Sequence, residues 1–147
     1  MLNAAGRSIV RAGLCLSIIV SGLALRGFGL RFGLAPAIVK YGGSVLWGTM
    51  VFFLVAIAAS GLSRSRLALM SALITVCVEL FRLVHAPWLD AFRLTTTGAL
   101  LLGRVFSPWN MLAYGFGIAF GMLLDRLSGP PLSNTRPAAR DASHSAS

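Results

Sequence analysis

Apolar residues in this chain collect into long uncharged runs, and the basic residues fall in the short stretches between them. No charge occurs between Lys40 and Arg64, and the apolar heart of that run is Val45–Leu62. A helix rising 1.5 Å per residue needs about 20 residues to cross a hydrocarbon layer of ~30 Å. The run therefore predicts a spanning helix over residues 44–62, with Ser44 as its N-cap. Ser60, Gly61 and Ser63 end it before Arg64 and Arg66. A first span is predicted over 12–28. Its uncharged part, Ala12–Leu25, is short, and Arg11 and Arg26 extend it by snorkelling to the interfaces. No A-x-A cleavage site follows this run, so it is expected to be retained as a helix rather than removed as a signal peptide.

A third span is predicted over 67–85 and a fourth over 108–127. Ser107-Pro108-Trp109 opens the fourth as an N-cap followed by proline at the first helical position, where a missing N–H costs nothing. Between them Ala86-Pro87-Trp88-Leu89-Asp90 reads as a turn. Segment 94–103, with Thr95, Thr96 and Thr97 ahead of Ala99–Leu102, is too short to span. It is expected to be a short re-entrant or interfacial helix, because irregular backbone at depth must be shielded by protein. The basic, glycine-rich stretch 26–43 is expected to lie in the interface. The predicted fold is all-α, an integral membrane four-helix bundle over residues 1–128. A Pro-, Ser- and Ala-rich tail over 129–147, without periodicity, is expected to be disordered.

Composition agrees with a lipid solvent. Of 147 residues 56% are hydrophobic and only 12% charged, whereas soluble domains carry about 25% charged residues. A net charge of +9 suggests nucleic acid in a soluble protein. Here the arginines sit singly or in pairs beside apolar runs, the pattern of loops facing anionic headgroups, so membrane lipid is the expected partner and nucleic acid is not. Cys15 and Cys77 lack a CxxC spacing and are expected to be buried free thiols. The N-terminus and the Arg64–Arg66 loop both place the termini in the cytoplasm by the positive-inside rule.

The candidate chemistry is concentrated in the third span. At 100° per residue Ser71, Thr75, Glu79, Arg82 and His85 fall within about 120° of one another, and the rest of the helix is apolar. A carboxylate at membrane depth must be paired, neutral or hydrated. Arg82, one turn from Glu79, is its expected partner. Two readings follow: a polar site that binds a headgroup or carries protons, or an interhelical clamp completed by Asn110 or Tyr114. Asp90 and Arg93, three residues apart, are expected to form an interfacial ion pair, and with Trp88 a lip for a headgroup. Trp47, Trp88 and Trp109 are expected as interfacial anchors. His85, with only Glu79 and Asp90 nearby, makes a poor metal set. No metal or other cofactor is expected, and no phosphate loop, Ser/His/Asp set or HExxH motif is present. For helix packing, Gly13, Ser17 and Ser21 recur every four residues. Asn110, Tyr114, Gly117, Gly121 and Asp125 share one face of the fourth span. Gly117-x-x-x-Gly121 is a small-residue packing motif of low specificity.

Tyr41-Gly42-Gly43-Ser44-Val45-Leu46-Trp47, Met50-Val51-Phe52-Phe53, Val78-Glu79-Leu80-Phe81-Arg82-Leu83 and Ala86-Pro87-Trp88-Leu89-Asp90 form an ordered series. It continues through Arg93–Gly103 and Phe106-Ser107-Pro108-Trp109-Asn110 to Tyr114-Gly115-Phe116-Gly117. The series resembles a family of small bacterial proteins built around a domain of unknown function, and it covers roughly 41–125. Some members carry a ribosomal-maturation label, and the family is distantly similar to VanZ-like proteins. The resemblance implies a multi-pass, four-helix protein of the bacterial inner membrane. The chain departs from the resembled pattern where Ser44 and Asn110 replace aspartates and Arg82 replaces a glutamine.

The expected function is binding of a lipid or isoprenoid headgroup by Glu79, Arg82, Trp88, Asp90 and Arg93. The alternative is a structural or assembly partner, as a homo-oligomer or within a membrane complex, packing through Gly13, Ser17, Ser21, Asn110, Tyr114, Gly117 and Gly121. A small transporter or proton path is the weaker alternative. No motif identifies an enzyme.

Overall fold

A computed structural model of the chain describes residues 4–95, Gly98 and residues 107–128. They form α1 (Ala4–Phe28), α2 (Pro36–Ala58), α3 (Arg64–Phe81), α4 (Pro87–Leu94) and α5 (Pro108–Ser128). The fold is all-α, with no strand among the described residues. The tail 129–147 and most of segment 94–103 lie outside them.

Proline at the first helical position starts α2, α4 and α5, where its fixed φ fits the helix and its missing N–H is one of the orphans. Pro36 thus begins α2 eight residues ahead of the predicted start. Ser44 is not the N-cap: it lies inside the helix and its hydroxyl donates to the Lys40 carbonyl (3.2 Å). Most of the expected interfacial stretch 26–43 is consequently helix. Gly33, at φ 78°, makes the left-handed turn that separates α1 from α2. The turn expected at 86–90 is the start of α4 instead. At the other end, α3 stops at Phe81, short of the predicted boundary. Its last N–H groups tighten to i−3 bonds, Leu83 to Leu80 (2.9 Å) and Val84 to Phe81 (3.1 Å).

The helix directions follow from side-chain contacts. Arg11 of α1 reaches the Ala56 carbonyl of α2 (2.7 Å), and Gly22 of α1 faces Leu46, so α1 and α2 are antiparallel. Thr49 of α2 donates to the Gly117 carbonyl of α5 (2.8 Å), and Gly121 faces Phe52. The chain numbers rise together, so α2 and α5 run parallel. α3 runs opposite to both, with Arg64 beside Asp125 and Glu79 beside Asn110.

α2 is the central helix. Phe52 and Phe53 are fully buried although consecutive residues point about 100° apart, which requires neighbours on more than one side. α1, α3 and α5 supply them. The core joins Cys15, Ile18, Val51, Phe52, Phe53, Val55, Ala56, Leu67 and Ile118, with the two phenylalanine rings edge to face at 5.6 Å. The parallel α2–α5 contact is glycine-mediated. A Cβ at Gly48 would lie 2.7 Å from the Tyr114 carbonyl, and one at Gly117 would lie 2.1 Å from the Val45 carbonyl.

The stripe Gly13, Ser17, Ser21 does not pack on another helix among the described residues. A Cβ at Gly13 would meet nothing within 4 Å, and the exposed Ser17 and Ser21 hydroxyls return to the carbonyls one turn back. Cys77 is likewise exposed, while Cys15 is buried. Trp47 is half-buried with its ring 4.9 Å from that of Tyr114, an interior contact rather than the expected anchor. Segment Gly6–Phe28 and α2 are both long and apolar enough to cross a membrane, with mean hydropathy of 2.0 and 1.7. Only 17% of the α1 segment is buried, whereas an apolar helix at the centre of a water-soluble domain buries most of itself.

Candidate functional site

The polar residues of α3 turn inward. Ser71, Thr75, Glu79 and Arg82 are all buried, as their common face predicts. Ser71 returns its hydroxyl to the Leu67 carbonyl (2.8 Å) and Thr75 to Ala72 (2.8 Å), so neither is an orphaned polar group. His85 leaves the stripe, because α3 has already ended. It is exposed, with Nδ1 3.0 Å from the Leu83 carbonyl.

Glu79 is the centre of the site and is 0% exposed. Arg82 forms its ion pair. The Ser107 N–H donates to Oε1 at 2.8 Å, the Asn110 amide approaches the same oxygen at 3.4 Å, and the Tyr114 hydroxyl donates to Oε2 at 3.0 Å. Both carboxylate oxygens are therefore engaged, and the donors join α3 to the start of α5. A fully buried carboxylate is tolerable only with such partners. The Ser44 hydroxyl lies 3.4 Å from Asn110 Oδ1. Of the positions where the chain departs from the resembled pattern, Arg82 and Asn110 touch the Glu79 carboxylate and Ser44 touches Asn110.

Arg93 lies beside this centre on α4. It is buried and donates to the carbonyls of Val84 (2.8 Å) and Phe81 (2.7 Å) and to Asp90 Oδ1 (3.1 Å). It binds carbonyls at and just beyond the end of α3, a favoured place for a cation. This tertiary cap fastens α4 to the end of α3. Its Nε has no hydrogen-bond partner among the described residues. Asp90 is half-exposed, and Trp88 and Trp109 are 72% and 65% exposed at this end of the molecule. Thr95 accepts the Gly98 N–H at 3.0 Å, as an N-cap does. Thr96, Thr97 and 99–106 lie outside the described residues.

A second ionic centre lies at the opposite end, and its pairing was not anticipated from the sequence. Asp125 accepts from Arg11 Nε (2.7 Å) and Nη2 (3.2 Å) and from Arg64 Nε (3.0 Å). It joins three helices distant in the chain. The sequence signal is a shared spacing: Arg11–Arg26, Arg64–Glu79 and Asn110–Asp125 are each 15 residues apart. That corresponds to about 22 Å of helix between two polar layers. Gly48, the partner of the Tyr114 backbone, was also missed; a glycine and a threonine amid bulky residues of α2 were the clue. No group of three His, Cys, Asp or Glu able to hold a metal occurs among the described residues.

Residues 34–118 match the family described as "Protein of unknown function (DUF2809)", a majority of the chain. This chain belongs to the DUF2809 family. No solved structure matches it. The region matched in this DUF2809 protein contains Glu79 with all its partners, and Arg64. Arg7, Arg11 and Asp125 lie outside it.

Proposed function

We propose that this DUF2809 protein is a four-span integral membrane protein of the bacterial inner membrane. In this reading it acts by assembly and binding, with Glu79 as the clamp of its frame. One observation carries the reading: α3 and α5 turn polar residues inward, beside Leu67, Ala113 and Ile118, and leave large apolar residues outward. α3 buries Ser71, Thr75 and Glu79 and exposes Leu69, Leu73, Ile74 and Leu80; α5 buries Asn110 and Asp125 and exposes Leu112, Phe116, Phe120, Leu123 and Leu127. Water selects the reverse arrangement, and so large an apolar surface is unstable in it. At 18 and 21 residues these helices are about 27 and 31 Å long, enough for a layer of ~30 Å. The positive-inside rule, applied to Arg7, Arg11, Arg64 and Arg66, puts both termini in the cytoplasm.

Thiol labelling tests the span count. With Cys15 and Cys77 replaced by alanine, Thr95→Cys should react with a membrane-impermeant maleimide on intact cells. Ser63→Cys should react only after permeabilisation. Equal reactivity of the two would reduce the protein to the two spans of α1 and α2 and sink the reading.

The saturation of Glu79 by Arg82, Ser107, Asn110 and Tyr114 supports a clamp over a proton path, since no oxygen remains without a donor. A second reading, a headgroup-binding lip at Trp88, Asp90 and Arg93, is favoured by the buried Nε of Arg93 that meets no partner among the described residues. It predicts that Trp88→Ala/Asp90→Asn lowers retention of co-purified lipid in native mass spectrometry. Retention equal to wild type would remove it.

A further inference from the structure

The end of the molecule opposite Glu79 carries charge that the frame leaves unused. Around Glu79, two carboxylates (Glu79 and Asp90) balance two guanidiniums (Arg82 and Arg93). Around Asp125, three guanidiniums (Arg7, Arg11 and Arg64) face one carboxylate, a formal excess of two positive charges. These four residues, with Val10 and Ser128, line a cleft of about 20 Å³, room for one oxygen-sized group.

The three arginines are not equivalent. Arg11 is committed: Nε and Nη2 hold Asp125, and Nη1 holds the Ala56 carbonyl. Arg64 spends only Nε on Asp125, its side chain is 30% exposed, and its Nη groups have no partner among the described residues. Arg7, one turn before Arg11 on the same face of α1, is exposed and likewise has no partner among them. α3 begins at Arg64, so the positive end of that helix adds to the field. Planar guanidiniums with uncommitted N–H groups match a phosphate, which they grip in a fork.

We propose that this cleft binds a phosphate group, with Arg7 and Arg64 as the fork and one phosphate oxygen seated above the fixed Arg11–Asp125 pair. The placement rests on the four-span reading, which puts this end at headgroup depth and makes an anionic phospholipid the natural source. Inorganic phosphate is the other source.

The test titrates the full chain, in neutral detergent, with phosphatidylglycerol and reads bound lipid by native mass spectrometry. Arg7→Gln/Arg64→Gln, which leaves Arg11 on Asp125, should weaken apparent affinity about ten- to thirtyfold. Arg26→Gln/Arg31→Gln removes the same charge from exposed positions at the other end and should stay within about threefold of wild type. Equal loss in both double variants, or loss in neither, overturns the site. Arg7→Gln alone touches no packed group and should still weaken binding about fivefold, so misfolding cannot imitate the result. Displacement of the lipid by excess inorganic phosphate would assign the site to the free anion as well. Binding that resists phosphate yet falls in the fork variant would assign it to a membrane lipid. The labelling of Ser63→Cys and Thr95→Cys is read separately, so failure here leaves the span count standing.

Discussion

Gly117→Ala should destabilise the protein by about 3 kcal/mol, the upper part of the range for overpacking a close contact. The added Cβ would lie 2.1 Å from the Val45 carbonyl oxygen and 2.9 Å from the Thr49 nitrogen. Both are backbone atoms of a regular helix, so no flexible side chain can move aside. α5 must back away from α2, and the bond from Thr49 Oγ1 to the Gly117 carbonyl (2.8 Å) lengthens with it. Dispersion contacts along the whole seam weaken as the helices separate. Gly115→Ala is the control: two residues away on the same helix, its Cβ would meet nothing within 4 Å. Removing a mid-helix glycine there should raise stability by about 0.5–1 kcal/mol. Gly13→Ala, equally open, should behave like Gly115→Ala. Thermal denaturation of the three variants in one detergent decides the matter. Gly117→Ala melting with Gly115→Ala would mean that α2 and α5 do not meet through their backbones.

Glu79→Leu should cost about 3–5 kcal/mol, the range for breaking a buried ion pair by removing one partner. Four donors lose their acceptor, but they do not weigh equally. The Ser107 N–H, Asn110 amide and Tyr114 hydroxyl are neutral, and interhelical hydrogen bonds in membranes are worth about 0.6–2 kcal/mol each at most. Removing the carboxylate that pairs with the buried Arg82 costs more than losing any of them. Glu79→Leu/Arg82→Leu removes that charge with its partner and should recover at least half of the loss, as apolar replacement of a buried pair often does. Glu79→Gln, which keeps an acceptor and loses the ion pair, should fall between wild type and Glu79→Leu. The same denaturation assay reads all three. If Glu79→Gln melts like wild type, an ionised carboxylate is not what fastens α3 to α5.

The helical wheel made the Glu79 stripe legible because few polar residues interrupt an otherwise apolar run, and Ser71, Thr75, Glu79 and Arg82 are buried together. His85 escaped because the wheel assumes a helix that continues, whereas α3 ends at Phe81 and the chain beyond it is tied down by Arg93 of α4. Proline marked the start of α5 clearly. At Pro36 the same signal was obscured by Lys40, Gly42 and Gly43, which give the first turns of α2 a loop-like composition. Small residues declared which helices can approach closely but not where: Gly117 and Gly121 meet α2, while Gly13, Ser17 and Ser21 face outward. The Asp125 centre was hardest to read. Arg11 and Asp125 are 114 residues apart, and no local pattern pairs groups at that separation.

The matched 15-residue intervals in α3 and α5 set Arg64 apart from Glu79, and Asp125 apart from Asn110, by about 22 Å. Glu79, Asn110 and Asp125 are all buried, so within the four-span reading these two levels are rungs inside the bundle and not its rims. Lipid then meets only the apolar outer faces of α3 and α5, which are long enough for an ordinary bilayer. A slide of α5 along α3 would part both rungs at once, so together they hold the pair in one register.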